Sequence, residues 1–275
     1  MCRGKPVRNL IFVFSISLFI AAFGAASAEP INPRVVLLHG LARSAASMDR
    51  MSNALAAAGF DVCNVSYPSR LHGIVALAEN FVAPKILECF PDGQPPIHFV
   101  THSLGGIIVR QLAFAGLVEN FGRVVMLSPP NQGTEVVDKL GNLALFSAVS
   151  GPAGRELGTG PDALPAQLGI PPFEFGIITG TRSINLFLSL MIPGPDDGKV
   201  SVARAKLDGM KDFLAMPVTH PFIMRNVKVI DQTIRFLNYG EFLHDQILET
   251  KSLRTITSES NDPRFLPTAS EYSKA

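Results

Sequence analysis

One corner of the chain, where a strand-type segment passes into a helix-type segment, constrains its fold most strongly. Residues 97–100 favour a strand, a helix-type run begins at Ile107, and mostly small or polar residues lie between them. Ser103 stands at the corner, and Gly105 and Gly106 allow the helix to pack close to the strand. Such a corner turns the serine side chain away from the sheet, towards whatever its hydroxyl attacks. Ser103 is therefore a candidate nucleophile, and a helix-capping serine is the alternative.

The segments around this corner alternate between strand-type and helix-type patterns. Short aliphatic and β-branched runs predict strands at residues 35–38, 60–65, 97–100, 124–127, 175–179 and 213–218. Helical patterns cover residues 47–58, 74–89, 107–114 and 226–238. Pro84 should kink or split the second of these helices. Because strands that alternate with helices form parallel sheets covered on both faces, the sequence predicts an α/β fold.

The residues at the corner resemble a known catalytic motif. Thr101-His102-Ser103-Leu104-Gly105 is similar to the Gly-x-Ser-x-Gly nucleophile elbow of α/β-hydrolases, with threonine in place of the first glycine. The resemblance implies an α/β-hydrolase fold over residues 29–249, with a mostly parallel central sheet and helices on both faces. It also implies a catalytic triad in the chain order serine, carboxylate, histidine.

The base that would activate the serine must be a histidine, and the chain has six. In the family that this chain resembles, the catalytic histidine lies in the loop after a late strand. His220 alone has that position, so it is the predicted base. The others precede or accompany the serine, or lie in or beyond the last helix: His39, His72, His98, His102 and His244.

The acid of the triad must lie between the serine and the base. The aspartates there are Asp196, Asp197, Asp208 and Asp212. Asp197-Gly198, followed by Val200-Ser201, resembles the Asn-Asp-Gly-x-Val-Ser segment of bacterial lipases, whose aspartate before the glycine is the triad acid. The resemblance implies that Asp197 orients the histidine, and Asp196 is the alternative. If Asp196 is only a neighbour, it should cap the turn.

An acyl-transfer site also needs donors for the oxyanion of its tetrahedral intermediate. His39-Gly40-Leu41 resembles the His-Gly loop of lipases, which implies that the backbone N–H of Leu41 is one donor. The N–H of Leu104, directly after the nucleophile, would be the second. A further resemblance to lipase-like hydrolases lies in Ser128-Pro129-Pro130-Asn131-Gln132-Gly133-Thr134, similar to their Ser-Pro-Asn-x-Gly-Thr turn.

A long segment without a clear strand, residues 131–172, follows that turn. Such an excursion between core strands is typical of a lid or a binding wall, and a mobile surface insertion is the alternative. A lipid substrate would also need an apolar groove. The candidates are Leu143, Leu145, Phe146, Leu186, Phe187, Leu188 and Leu190, and ordinary core packing is the alternative for each.

The two termini of the chain differ in composition from the residues between them. Three basic residues precede an uncharged apolar run over residues 10–23 and a small-residue stretch that ends in Ala26-Ser27-Ala28. This pattern predicts a signal peptide over residues 1–28 and export to the periplasm or the medium. An uncleaved membrane anchor is the alternative. Residues 250–275 are mostly polar and predict a disordered tail.

Charge and cysteine content bear on the partners of the protein and on its disulfide bonding. The chain has 24 basic and 23 acidic residues, so its charge does not indicate a nucleic-acid partner. Removal of the signal peptide would leave Cys63 and Cys89. In an exported protein this pair predicts a disulfide, and two buried free thiols are the alternative.

These features together predict a secreted serine hydrolase that cleaves carboxylic esters through an acyl-serine intermediate, as a lipase or esterase. The substrate would be a small-molecule or lipid ester, with transient contact to a lipid interface, and no metal or organic cofactor is required. One alternative is a deacylase of membrane lipids or lipid-anchored material. Another is a binding protein that keeps the fold without catalysis.

Overall fold

The computed structural model of the 275-residue chain describes Met1, residues 32–91 and residues 96–244. The predicted signal peptide beyond Met1 and the predicted tail over residues 250–275 lie outside the described residues. The folded unit described here begins at Asn32.

A six-stranded sheet, with the strand order β2-β1-β3-β4-β5-β6, forms the centre of this unit. Every neighbouring pair is parallel. The strands are β1 (Arg34–Leu38), β2 (Asp61–Val65), β3 (Ile97–His102), β4 (Phe121–Leu127), β5 (Phe175–Gly180) and β6 (Asp212–Met216). The sheet confirms the predicted α/β class, and each predicted strand has a counterpart with slightly different bounds.

The helices occupy the segments between strands. They are α1 (Asp49–Ala57), α2 (Ile74–Leu77), α3 (Ala83–Cys89), α4 (Leu104–Phe114), α5 (Glu135–Leu140), α6 (Ala144–Arg155), α7 (Leu164–Gln167), α8 (Leu186–Ser189), α9 (Val202–Ala205) and α10 (Val227–Tyr239). Helical turns of other types are the 3-10 turns Ala45–Met48 and His220–Arg225 and the π-helical turn Ala78–Val82. No helix in the described part of the chain is long and apolar enough to cross a bilayer.

Two helices differ informatively from their predictions. The segment predicted to be interrupted by Pro84 contains a π-helical turn that ends directly before α3, with the proline in the first turn of α3. Because proline has no N–H to donate, the start of a helix is where it is tolerated. Helix α4 begins at Leu104, three residues before the predicted start, because the helix follows Ser103 without a linker.

The sheet is buried on both faces. Val35 and Leu37 of β1 belong to a core cluster that includes residues of α1 and α10, whereas Val36 and Leu38 belong to a cluster with α2, α3 and α4. Successive side chains of a strand point to opposite faces, so a strand covered on both faces needs an uninterrupted apolar run. This arrangement confirms the predicted helices on both faces.

The strand order reverses between β1 and β3, because the chain moves from β1 to β2 on one side and then returns to β3 on the other. Ligands of open α/β sheets bind outside the carboxyl ends of the strands at such a point. The loop with Leu41 follows β1 and Ser103 follows β3, so the fold brings these two predicted site residues to the two sides of the reversal.

The segment 131–172 contains α5, α6 and α7 and contacts the body through hydrogen bonds. Glu156 accepts a hydrogen bond from the N–H of Ile74 at 2.7 Å, and Arg70 donates to the carbonyl of Ala148 at 3.0 Å. Gly151, with φ at 65°, lies so close to Arg70 that a Cβ there would be 1.9 Å from the Arg70 carbonyl oxygen. Only glycine fits this approach.

The two cysteines predicted to pair are bonded in the structure, with Sγ atoms 2.04 Å apart and Cα atoms 6.1 Å apart. The two-thiol alternative therefore does not describe this structure. The bond links the edge strand β2 to the end of α3 and closes a loop with a sequence separation of 26 residues. A cross-link of this span stabilises a fold mainly because it restricts the unfolded chain.

We expect the double variant Cys63→Ala, Cys89→Ala to lose about 3 kcal/mol of unfolding free energy, the loop-closure contribution for a loop of this length. Urea denaturation of the mature protein, with and without dithiothreitol, measures this difference. The reductant should lower the midpoint of the parent protein and leave that of the double variant unchanged. Equal parent midpoints in both conditions would contradict the prediction.

Candidate active site

Ser103 lies at the turn between β3 and α4 with φ at 51° and ψ at −118°, a conformation that residues with a side chain rarely adopt. Its N–H donates to the carbonyl of Leu127 at 2.9 Å, and its carbonyl accepts from the N–H of Gly106 at 2.9 Å. Its side chain makes no capping hydrogen bond with α4. The helix-capping alternative is therefore wrong, and the backbone strain indicates a functional constraint.

The two glycines after the serine allow this strained turn. A Cβ at Gly105 would lie 2.5 Å from the carbonyl oxygen of Leu38, and a Cβ at Gly106 would lie 2.9 Å from Cβ of Pro129. Contacts of this kind leave no room for a side chain, as the sequence predicted. Thr101, in place of the family's glycine, is buried within β3 and pairs with β1 and β4, so it does not crowd the turn.

His220 and Asp197 form a buried pair. Nδ1 of His220 lies 2.8 Å from Oδ2 of Asp197, and the backbone N–H of His220 donates to the carbonyl of Asp197 at 3.0 Å. The side chains are only 4% and 0% exposed. Because Nδ1 is engaged by the carboxylate, Nε2 is the ring nitrogen left to exchange a proton.

Asp197 is held as a carboxylate by several donors. Its Oδ1 accepts from the backbone N–H groups of Lys199 at 3.1 Å and Val200 at 3.0 Å. Burial acts to raise the pKa of Asp197, but its interactions with His220 and its hydrogen bonds with Ser128 and Val200 together lower that pKa below its ordinary value. The group is therefore ionised at neutral pH despite its complete burial.

Asp196, the alternative acid, has a different environment. Its Oδ1 accepts from the N–H of Gly198 and from the hydroxyl of Ser189, both at 2.7 Å. These contacts cap the turn, as predicted for a flanking aspartate, and Gly198 has the positive φ of 99° that the turn requires. Asp196 therefore positions the turn that carries Asp197.

The other histidines and aspartates considered for the triad have different surroundings. His244 pairs with Asp212 at 2.9 Å, but Asp212 begins β6 and so lies at the amino edge of the sheet, opposite the edge that carries Ser103. Nδ1 of His98 accepts the N–H of Arg123 at 2.8 Å. Asp208 is exposed. Of the predicted pairings, the structure brings together Asp197 and His220.

Ser128 is a positioning residue that the sequence reasoning did not single out. It follows β4, is fully buried, and has φ at 48°. Its hydroxyl hydrogen-bonds the carboxylate of Asp197 and accepts a long hydrogen bond of 3.4 Å from the N–H of Gly180. The sequence could have pointed to Ser128 because it lies at the carboxyl end of a predicted strand, within the turn that resembles the lipase turn.

The loop after β1 is fixed by His39, which is buried and stacks on Tyr67 with ring centroids 3.9 Å apart. Nδ1 of His39 donates to the carbonyl of Gly40 at 2.9 Å, and the Tyr67 hydroxyl donates to the carbonyl of His39. The N–H of Ala42 donates to the Ser69 hydroxyl at 3.1 Å. These contacts hold both ends of the predicted oxyanion loop.

This loop lies directly beside the candidate nucleophile. A Cβ at Gly40 would be 3.3 Å from Cβ of Ser103 and 2.7 Å from Nδ1 of His102. The backbone N–H groups of Leu41 and Leu104 donate to no acceptor among the described residues. The predicted oxyanion donors are therefore free to bind a ligand oxygen.

His102, the residue before the serine, contacts the predicted base His220. It is buried, and its Nε2–H donates to the carbonyl of His220 at 3.1 Å. Burial, followed by repulsion from His220, holds the pKa of His102 well below its ordinary value. His102 is thus neutral and serves as a fixed hydrogen-bond donor.

Ser103 and His220 line one pocket, whose empty space is about 880 Å³ when the open solvent at its mouth is included. The segment 131–172 supplies much of its apolar wall, together with α8, and two cations complete the lining. Its apolar residues include Val136, Val137, Phe146, Leu157 and Leu188, and the cations are Arg43 and Lys199.

The predicted groove residues divide into two groups. Phe146 and Leu188 line the pocket. The core-packing alternative is wrong for four others because their surfaces are exposed: Leu143 (54%), Leu186 (76%), Phe187 (64%) and Leu190 (86%). The side chain of Leu145 lies outside the described set. Within residues 32–91 and 96–244, no group of three or more His, Cys, Asp or Glu side chains could hold a metal ion.

Solved structures with the same fold include several lipolytic enzymes. The mature Bacillus licheniformis lipase BlEst2 is 19% identical, with a TM-score of 0.64 over 76% of this chain and 93% of the lipase. Phospholipase PlaB from Legionella pneumophila is 18% identical, with a TM-score of 0.61 over 83% of this chain and 63% of PlaB. The metagenomic carboxyl esterase MGS0156 is 20% identical, with a TM-score of 0.54 over 71% of this chain and 66% of the esterase.

The chain thus spans nearly all of the Bacillus lipase but less than two thirds of the other two enzymes. At these identities the likeness concerns the fold. No curated protein sequence matches the chain. The sequence model of the Alpha/beta hydrolase family matches residues 35–239, which include every element from β1 to α10. The chain therefore belongs to the α/β-hydrolase family.

Proposed function

We propose that this protein is a serine hydrolase that cleaves carboxylic esters through an acyl-serine intermediate. The observation that carries the proposal is the buried His220–Asp197 pair, whose histidine lines the same pocket as a serine in a strained elbow. Nucleophilic serines need a base oriented by a carboxylate, and this constellation supplies both.

In the proposed mechanism the Ser103 hydroxyl attacks the ester carbonyl while Nε2 of His220 takes its proton. Asp197 keeps the proton on Nδ1 and stabilises the imidazolium that forms. Collapse of the tetrahedral intermediate expels the alcohol, which receives the proton from Nε2. A water molecule, activated by the same nitrogen, then attacks the acyl group and releases the carboxylic acid.

The backbone N–H groups of Leu41 and Leu104 are the proposed oxyanion donors. Their free hydrogen-bonding capacity and the closeness of Gly40 to Ser103 support this role. Donors fixed before the reaction stabilise the developing charge without reorganisation, and loss of one such donor costs about 10² to 10³ in turnover. The stacked pair His39 and Tyr67 would provide that fixation.

An apolar acyl ester is the proposed substrate class, as in a lipase or esterase. The pocket wall is rich in aliphatic side chains, which suit an acyl chain better than a peptide or a sugar. The neighbours described above are a lipase, a phospholipase and a carboxyl esterase, which agrees with this choice at the level of the fold. A deacylase of membrane lipids is a narrower form of the same proposal.

Export and contact with lipid surfaces remain parts of the proposal. A disulfide persists in oxidising compartments, so the Cys63–Cys89 bond supports export to the periplasm or the medium. The exposed apolar side chains of α8 and its flanks, Leu186, Phe187 and Leu190, would suit transient contact with a lipid interface. A silent binding protein would not need the strained serine, which argues against that alternative.

We expect Ser103→Ala to lower kcat on p-nitrophenyl esters by about six orders of magnitude, because the triad acts as a unit. A series from acetate to palmitate, with the mature parent protein and the variant, measures both the loss and the preferred chain length. Ser52→Ala on α1, outside the pocket, is the control and should retain parent activity. Ester turnover retained by the Ser103→Ala variant would contradict the proposal.

Asp197→Asn should lower kcat by about 10⁴, the loss typical when the orienting carboxylate becomes an amide. Asp196→Asn is the matched neighbour and should change kcat by less than about tenfold, because it only weakens a turn cap. Steady-state kinetics on one ester, with circular dichroism to check folding, compare the two. The opposite ranking would assign the acid to Asp196.

We expect Ser128→Ala and Ser128→Gly each to lower kcat about tenfold with little change in KM, since each removes a hydrogen bond to a charged group. The glycine variant relieves the backbone conformation at φ of 48°, whereas the alanine variant keeps the strain. Equal losses in both would assign the effect to the hydroxyl. Parent kcat in both variants would show that Ser128 does not position Asp197.

A further inference from the structure

Two cations line the pocket of Ser103 and His220 without a counter-ion. Within residues 32–91 and 96–244, the side chains of Arg43 and Lys199 make no ion pair with a carboxylate. Other arginines of the fold do: Arg123 pairs with Glu174 at 3.0 Å, Arg204 with Glu135 at 2.7 Å and Arg235 with Glu241 at 2.7 Å. Neither cation of the pocket is therefore bound in an ion pair of this kind among the described residues.

The two cations affect one another. The Lys199 side chain as a whole is exposed, but its surroundings lower the pKa of its amine: first a partial loss of hydration, then repulsion from Arg43. Asp197 acts in the opposite direction and offsets part of this repulsion. An anion between Arg43 and Lys199 would relieve this repulsion.

The positive region extends along the rim. Arg43 and Ala42 also border two neighbouring surface depressions, one of which includes Arg225 and the other Arg70. Arg43 is therefore shared by the catalytic pocket and by both depressions, with one further arginine on either side. A chain with almost balanced total charge concentrates cations at this rim, and such a field attracts anionic ligands.

Apolar side chains also line the pocket. Val136, Val137 and Leu157 from the segment 131–172 line it, with Phe146 and Leu188 beside them. The pocket thus has an apolar part and a cationic part, with Ser103 and His220 in the same lining. A ligand that matches both parts is amphiphilic, with an apolar chain and an anionic head.

We propose that the substrate of this site is an amphiphilic ester whose alcohol portion carries an anionic group that binds Arg43 and Lys199. The inference rests on the proposed ester hydrolysis and specifies its substrate class. The acyl chain fills the apolar part, so the anion belongs to the alcohol. Phosphate and carboxylate share the required chemistry, because the guanidinium fork and the ammonium group bind both.

The test compares three octanoyl esters at monomeric concentrations, so that the surface charge of aggregates plays no part. They are 1-octanoylglycerol, its 3-phosphate, and the 3-octanoyl ester of glyceric acid, which carries a carboxylate. The parent protein is compared with the double variant Arg43→Gln, Lys199→Gln. The matched control is Arg50→Gln, Lys228→Gln, which makes the same charge change at exposed positions of α1 and α10 outside the pocket.

We expect kcat/KM of the parent protein to be about tenfold higher for the phosphate ester than for the neutral ester, the effect of two solvent-accessible ion pairs. The ratio should fall to about one in the Arg43, Lys199 variant and stay at the parent value in the control. A similar gain for the carboxylate ester would identify a general anion site, and a gain for the phosphate alone a phosphate site.

Two results overturn the anion inference while ester hydrolysis stands. One is a parent ratio of kcat/KM, phosphate ester to neutral ester, that is near or below one. The other is a ratio that stays unchanged in the Arg43, Lys199 variant. The parent ratio decides the matter even if the variant does not fold. If no ester of the set shows turnover that depends on Ser103, the proposed function fails and this inference fails with it.

Discussion

The site depends on the close approach of α4 to the sheet. At Gly105 the helix lies so near to β1 that an added Cβ would be 2.5 Å from the carbonyl oxygen of Leu38. Where the chain turns from β3 into this helix, Ser103 has a positive φ, a conformation that costs about 1–3 kcal/mol. Burial of β3 and α4 in the core offsets that cost. The strained corner in turn holds the hydroxyl at the carboxyl edge of the sheet.

A second constraint is the charge of Asp197, which has no solvent exposure. A buried carboxylate without donors would become protonated and could not fix the tautomer of His220. The turn at Gly198 directs the N–H groups of Lys199 and Val200 at one carboxylate oxygen, and Ser128 adds a hydroxyl from β4. Burial raises the pKa of Asp197, but its interactions with His220, followed by the hydrogen bonds with Ser128 and Val200, lower that pKa below its ordinary value. The electrostatics of the site therefore depend on the His220 pair as well as on the local turn.

Features that depend on local pattern or chain order could be predicted from the sequence. The apolar run of β1, the glycines after Ser103 and the turn glycine after Asp197 each have a local physical reason, and the structure has them where the sequence indicates. Features that arise between distant segments could not. The interaction of Ser128 with Asp197 had only an indirect signal, the place of Ser128 after a strand, and the placement of Arg43 and Lys199 in one pocket had none in either segment.

The contacts of the segment 131–172 favour a binding wall over a mobile lid. An opening motion of α6 would have to break the hydrogen bonds from Ile74 to Glu156 and from Arg70 to Ala148, and withdraw Gly151 from its close contact with Arg70. The same helix packs against the oxyanion loop, because a Cβ at Gly154 would lie 3.0 Å from Leu41. A wall that supports the predicted oxyanion loop and also lines the pocket of Ser103 would couple substrate shape to the geometry of the proposed site. The protein would then discriminate between substrates by their fit to a preformed pocket with apolar and cationic residues.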